Sequence, residues 1–185
     1  NWTDLNWEDP ENSAAVLGTF PTAASNNPAI VPAGTVNVTG SQDAFSLNIA
    51  SGTTDTGGTV DVNAGADLTI SYGTDIGATG TLDINGTMST RTLNAVAGSD
   101  INLNNGGSLS VSNAGSSSVD QLDVSGTASL TTAGGALPVA NLDLSGATTV
   151  NIAGGVDASN TAIAGGTTIN QTSGTSTLSN VTGSG

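Results

Sequence analysis

Cysteine, lysine and histidine are absent from this chain, and Arg91 is its only basic side chain. Without cysteine there are no disulfides and no thiolate metal sites. Without lysine, no isopeptide cross-link to asparagine or to a carboxyl group can form. The lack of His, Cys and Lys also removes the usual triad base and the amine and thiol nucleophiles. Fifteen acidic residues face the one arginine, for a formal net charge of −14. Binding phosphates requires basic side chains that displace counterions, so nucleic acid is not an expected partner. Anionic membrane surfaces drop out on the same ground. No apolar run approaches the ~20 residues of a membrane-spanning helix, so insertion is not expected either. Aromatic residues make up 3% and hydrophobic residues 36% of the chain.

Glycine, at 26 residues, and Ser plus Thr, at about 50, fill the space left by these absences. Such a mixture fits either a disordered Gly/Ser-rich tract or a β-solenoid with a thin core. Periodicity favours the solenoid, because a disordered tract has no reason to keep register. Gly86, Gly106, Gly126, Gly146 and Gly166 recur every twenty residues. Leu82-Asp83-Ile84-Asn85-Gly86-Thr87 returns as Leu122-Asp123-Val124-Ser125-Gly126-Thr127 and as Leu142-Asp143-Leu144-Ser145-Gly146-Ala147. A fixed period of this size means one supersecondary unit stacked along an axis.

Within each unit apolar residues alternate with polar ones, as in Val36/Val38, Leu47/Ile49, Val60/Val62, Leu68/Ile70, Ile101/Leu103, Leu109/Val111 and Val150/Ile152. This is the period of a half-buried strand. A second set of glycines, Gly115, Gly134-Gly135 and Gly154-Gly155, marks another bend about nine positions on. The expectation is an all-β, single-stranded parallel β-helix (a β-solenoid) with rungs of about 20 residues. About seven such rungs fit over 35–182. The step from Val60 to Leu82 is longer, so the early coils carry small insertions.

Residues 1–33 differ from the rest. They hold Trp2, Trp7, Phe20, both glutamates and four of the five prolines. Proline breaks strand ladders, so no clean strand is expected over 11–33. The segment reads as an N-terminal cap or interface arm, followed by a solenoid over 34–185.

The Gly80–Thr87 stretch and its relatives resemble the repeats of secreted bacterial β-solenoids: autotransporter passengers, filamentous-haemagglutinin-like adhesins and planctomycete-type surface proteins. The opening Asn1-Trp2-Thr3, Asn6-Trp7 and the later Thr-Val-Asn-Val strand are similar to the start of such regions. The resemblance implies export to the cell surface or beyond. A start at Asn1 without methionine is consistent with a processed, secreted chain.

Asp61, Asp83, Asp123 and Asp143 occupy one rung position between inward apolar residues and therefore face outward. Two readings stand: a stripe in which neighbouring carboxylates share Ca²⁺, or a solvated face that keeps the rod soluble and blocks lateral strand pairing. Counting in twenties, Leu103 and Ile163 interrupt the column, and no calcium-repeat or EF-hand motif occurs. No cofactor is expected, Ca²⁺ being the one metal such a stripe would take. A pair of outward aspartates has roughly the spacing of a retaining glycosidase. Tyr72 is however the only aromatic after Phe45, and Arg91 stands alone, so no enzyme activity is expected. Five Asn-x-Ser/Thr sequons, at Asn1, Asn37, Asn85, Asn170 and Asn180, match the number that chance gives in so Asn-, Ser- and Thr-rich a chain.

The functional expectation is a non-enzymatic structural subunit of an extracellular filament or sheath. Copies would polymerise head to tail through the N-terminal segment and the solenoid ends, with Trp2, Trp7, Phe20 and Val181 at the contact and other copies of the chain as partners. The alternative is an adhesin or stalk segment that binds surface ligands or sugars. Thr127, Thr148-Thr149 and Thr167-Thr168 suggest a third reading, ice binding by a flat threonine array.

Overall fold

A computed structural model describes residues 8–9, 12–16, 26 and 28–183. From Pro28 onward the chain winds through three ladders of parallel strands, visiting each once per turn. The first ladder runs through Ala33–Val38, Gly57–Val62, Thr81–Ile84, Asp100–Leu103, 121–124, 141–144, 160–163 and Val181–Gly183. The second runs through Ser41–Ala44, 67–70, 87–90, Ser108–Val111, 129–132, 149–153 and Thr168–Ser173. The third opens inside the 1–33 segment, at Pro28–Val31. It continues through Ser46–Ile49, 73–76, 92–95, 118–119, 137–139, 156–158 and Thr177–Leu178. The fold is the expected β-solenoid, with eight turns in the first and third ladders rather than seven. With strands ~4.8 Å apart, eight turns extend roughly 34 Å along the axis.

The alternation in the sequence becomes an inside and an outside. Leu82 lies in register between Val60 and Ile101, and Leu122 opposite Leu142, all of them buried. Asp83 and Asp123 beside them point the other way. The inward rows from three ladders merge into one core, with Leu47, Leu68, Leu93, Leu103 and Leu109 among its largest buried side chains. Thr161 breaks the inward apolar row of the first ladder, in register between Leu142 and Val181. Its buried Oγ1 lacks a hydrogen-bond partner among the described residues. Among those residues no helix is long and apolar enough to cross a membrane.

Three expectations are corrected. First, strands do occur over 11–33. Asn12–Val16, which contains no proline, pairs antiparallel with Glu8–Asp9. Pro28 is the first residue of its strand, where proline is tolerated.

Second, the evenly spaced glycines do not form one spatial column. Thr87 pairs with Ser108, which sets Gly86 against Gly107, while Gly126 pairs with Ala147 and Gly146 with Ser125. The steps between matched residues vary. Asp61 matches Asp83, Asp83 matches Asn102 and Asn102 matches Asp123, and the first of these steps is the longest and the second the shortest. The other glycine corner stacks only in part: Gly135 lies over Gly115, whereas Gly154 and Gly155 lie against Thr132 and Ala136. A Cβ on Gly135 would lie 2.9 Å from the Gly115 Cα, and one on Gly174 would lie 2.1 Å from the Gly154 carbonyl oxygen.

Third, the two glycines with the strongest repeat context are not equivalent. Gly126 has φ 61°, and a Cβ there would come within 2.5 Å of the Asn105 side chain. Gly146 is not in the left-handed region, and its Cβ would meet the Ser125 Cβ at 3.2 Å. Gly126→Val is therefore expected to lose about 2 kcal/mol or more, through backbone strain plus overpacking. Gly146→Val should lose about half that or less. Thermal melts of the two variants side by side check the difference, and equal losses would mean that the corner at Gly126 adapts.

Candidate functional site

Three surfaces carry the side chains with chemical potential. The first is the outward aspartate row of the first ladder. Its in-register members are Asn37, Asp61, Asp83, Asn102, Asp123, Asp143, Ala162 and Thr182. The interruptions counted at Leu103 and Ile163 are a miscount of register. Both residues point inward, and Asn102 and Ala162 hold the column.

Like charges on adjacent strands repel; Asn102 separates Asp83 from Asp123, while Asp61 and Asp83, and Asp123 and Asp143, are direct neighbours whose carboxylates accept hydrogen bonds. Asn85 Nδ2 donates to Asp61 Oδ1 at 2.9 Å, and Asn102 Nδ2 donates to Asp83 Oδ1 at 2.7 Å. Gln121 Nε2 donates to Asp123, and the Ser145 N–H to Asp143 at 2.7 Å. No group of three or more acidic side chains gathers as a metal cage among the described residues. This geometry fits a hydrogen-bonded amide–carboxylate ladder on a solvated face.

Further amide ladders escaped the reading of the sequence. Asn180 Nδ2 donates to Asn160 Oδ1 at 3.2 Å, Asn160 to Asn141 at 3.1 Å, and Asn141 to the Asp120 carbonyl at 3.3 Å. Asn170 likewise donates to Asn151 at 3.0 Å. Their signal is an asparagine that returns from one turn to the next, which the glycine repeat overshadows.

The second surface is the last described turn. Thr168–Ser173, Thr177–Leu178 and Val181–Gly183 each pair on one side only. Ile169 and Leu178 are half-buried against the core, and Val181 is 54% exposed. Of the expected contact residues, Val181 thus lies on a strand that pairs on one side only among the described residues. Trp2, Trp7 and Phe20 lie outside the described residues. The threonines of the ice-binding reading stack in part: Thr127, Thr149 and Thr168 are in register, followed two positions on by Ser129, Asn151 and Asn170.

The third surface joins residues that look isolated in the sequence. Phe45, Tyr72 and Arg91 occupy the same corner, between the second and third ladders, on successive turns. The rings of Phe45 and Tyr72 stack with centroids 5.3 Å apart and planes 11° from parallel. The Arg91 guanidinium lies over Tyr72, 5.9 Å from its centroid, within cation–π range. The corner between 67–70 and 73–76, on turn three of the third ladder, has one residue more than the corner between 87–90 and 92–95 on turn four: Ile70 matches Thr90, while Gly73 matches Thr92. Such a bulge re-aims a side chain, and Tyr72 stands 56% exposed.

Beside the stack is a groove of about 270 Å³ lined by Tyr72, Gly73, Asp75, Arg91, Thr92, Asn94 and Asn113. A second basin of about 250 Å³ lies on the other side of Asp75 and Asn94, against Gly77, Ala78 and Val96. Asn94 Nδ2 donates to Asp75 Oδ1 at 2.9 Å between them. In comparisons with protein-family models, curated proteins and solved structures, none matched this chain.

Proposed function

We propose that this chain is a non-enzymatic structural subunit of an extracellular filament or sheath, in which copies stack end to end. The observation that carries the reading is the last described turn. Among the described residues its three strands pair on one side only, and its half-buried Ile169 and Leu178 extend the core row to that edge. Such an edge templates another parallel strand, and an end-to-end contact that does not close produces an open fibre. The Trp- and Pro-rich N-terminal segment is chemically unlike the terminal turn, as two complementary surfaces should be. Trp2 and Trp7 would anchor the contact, since tryptophan is enriched at interface centres. The extracellular setting rests on the resemblance to secreted surface repeats.

Electron microscopy of the purified chain tests this. The expected result is filaments that lengthen with protein concentration. Changing Trp2 and Trp7 together to Ala should abolish them while circular dichroism still shows the β-solenoid. A chain that stays monodisperse at high concentration, or a double variant that still forms native filaments, would overturn the assembly scheme. A monodisperse chain favours the second reading, a stalk or adhesin segment, which draws its support from the groove beside Tyr72.

A further inference from the structure

We infer that the groove across the third ladder at turns three and four binds an uncharged oligosaccharide. This does not rest on the filament reading.

The chain has one arginine, one tyrosine and two phenylalanines, and three of these four side chains meet at a single corner. Stability of the corner does not demand them. Later turns pass the same place with Ala133-Gly134-Gly135 or with Gly154-Gly155. The extra residue in turn three thrusts Tyr72 outward, which exposes apolar surface instead of burying it.

The floor is built from small residues. A Cβ on Gly73 would sit 2.6 Å from Thr92 Oγ1, and one on Gly77 would lie 1.8 Å from the Ala50 carbonyl oxygen. Neither position can carry a larger side chain without displacing its neighbour. Its two basins share Asp75 and Asn94. Together they reach the size range of small-molecule sites, about 300–1,000 Å³.

The lining selects the ligand chemistry. Phe45 stacks on Tyr72 and Arg91 reaches over its ring, while Tyr72 stays 56% exposed at the groove. Val96, 53% exposed, offers an apolar patch at the far end. Between them Asp75 supplies acceptors, Asn94 a donor and an acceptor, and Arg91 donors only. Groups that both donate and accept, set on a ring with apolar C–H faces, complement this lining. Sugar hydroxyls have that character. Anionic saccharides and phosphates are disfavoured, because one guanidinium does not offset a net charge of −14.

The test is a ¹H–¹⁵N NMR titration of the chain with cellohexaose and with chitohexaose, using an oligogalacturonate as the acidic comparator. The expected result is saturable shifts of the Gly73, Asp75, Asn94 and Val96 amides with at least one neutral sugar, at millimolar dissociation constants (~1 mM). Asp75→Ala should weaken binding by about tenfold, as loss of a charged hydrogen-bond acceptor does, with an unchanged melting temperature. Tyr72→Phe keeps the stack and removes only the hydroxyl, so its affinity should fall while the fold is intact. The inference is overturned by no shift with either neutral sugar at about 20 mM. Shifts confined to another face, a response to the oligogalacturonate alone, or undiminished affinity in Asp75→Ala would each overturn it as well.

Discussion

Replacing Gly77 with Val is expected to leave no stable native state, a loss above about 4 kcal/mol. The reason is space rather than backbone conformation. A Cβ at Gly77 would lie 1.8 Å from the Ala50 carbonyl oxygen and 2.7 Å from its carbon. That carbonyl belongs to the turn below, so relief requires separating two turns that hydrogen bonds hold together; the Gly77 N–H itself donates to the Ile49 carbonyl at 2.8 Å. Gly65 is the contrasting case. It has φ 78°, and a Cβ there meets nothing within 4 Å. Gly65→Ala should cost only about 1 kcal/mol, the penalty for placing a side chain in the left-handed region. Circular dichroism melts of both variants measure the contrast. A Gly77→Val protein that melts with the parent would show that the two turns do not approach this closely in solution.

Leu103→Ala should destabilise the chain by about 3 kcal/mol. Leu103 is fully buried at mid-stack, in register between Ile84 and Val124. Its neighbours have little freedom to fill the cavity, because ladders on three sides hold the turn spacing. Ile169 is only half-buried and sits in the last described turn, whose strand pairs on one side. Ile169→Ala should therefore cost about 1 kcal/mol or less. In a stack with mainly nearest-neighbour coupling, the central change also divides the cooperative unit, whereas the terminal change frays one end. Urea unfolding gives the two losses, and native-state hydrogen exchange shows where protection is lost. Equal losses would mean that the turns unfold as one body and that position along the stack does not matter.

The class of fold and the two-sidedness of the strands were legible from residue order alone. Side chains alternate with a period of two, so Leu82-Asp83-Ile84 could be assigned inward, outward and inward without coordinates, and the recurrence of one short motif required a stack. Residue order did not determine register. The turns differ in length, so counting in twenties set Gly86 over Gly106 and put Leu103 in the aspartate column. Hydrogen-bonded ladders decide register instead. They force each surplus residue out at a corner, where the backbone can bulge without losing a pair. One such surplus residue brings Tyr72 between Phe45 and Arg91, across two unequal steps that no fixed period links. The asparagine ladders and the groove at Asp75 and Asn94 arise in the same way. Their members are distant along the chain and become neighbours only when each turn closes on the one before it, so the fold was legible in the sequence and the candidate site was not.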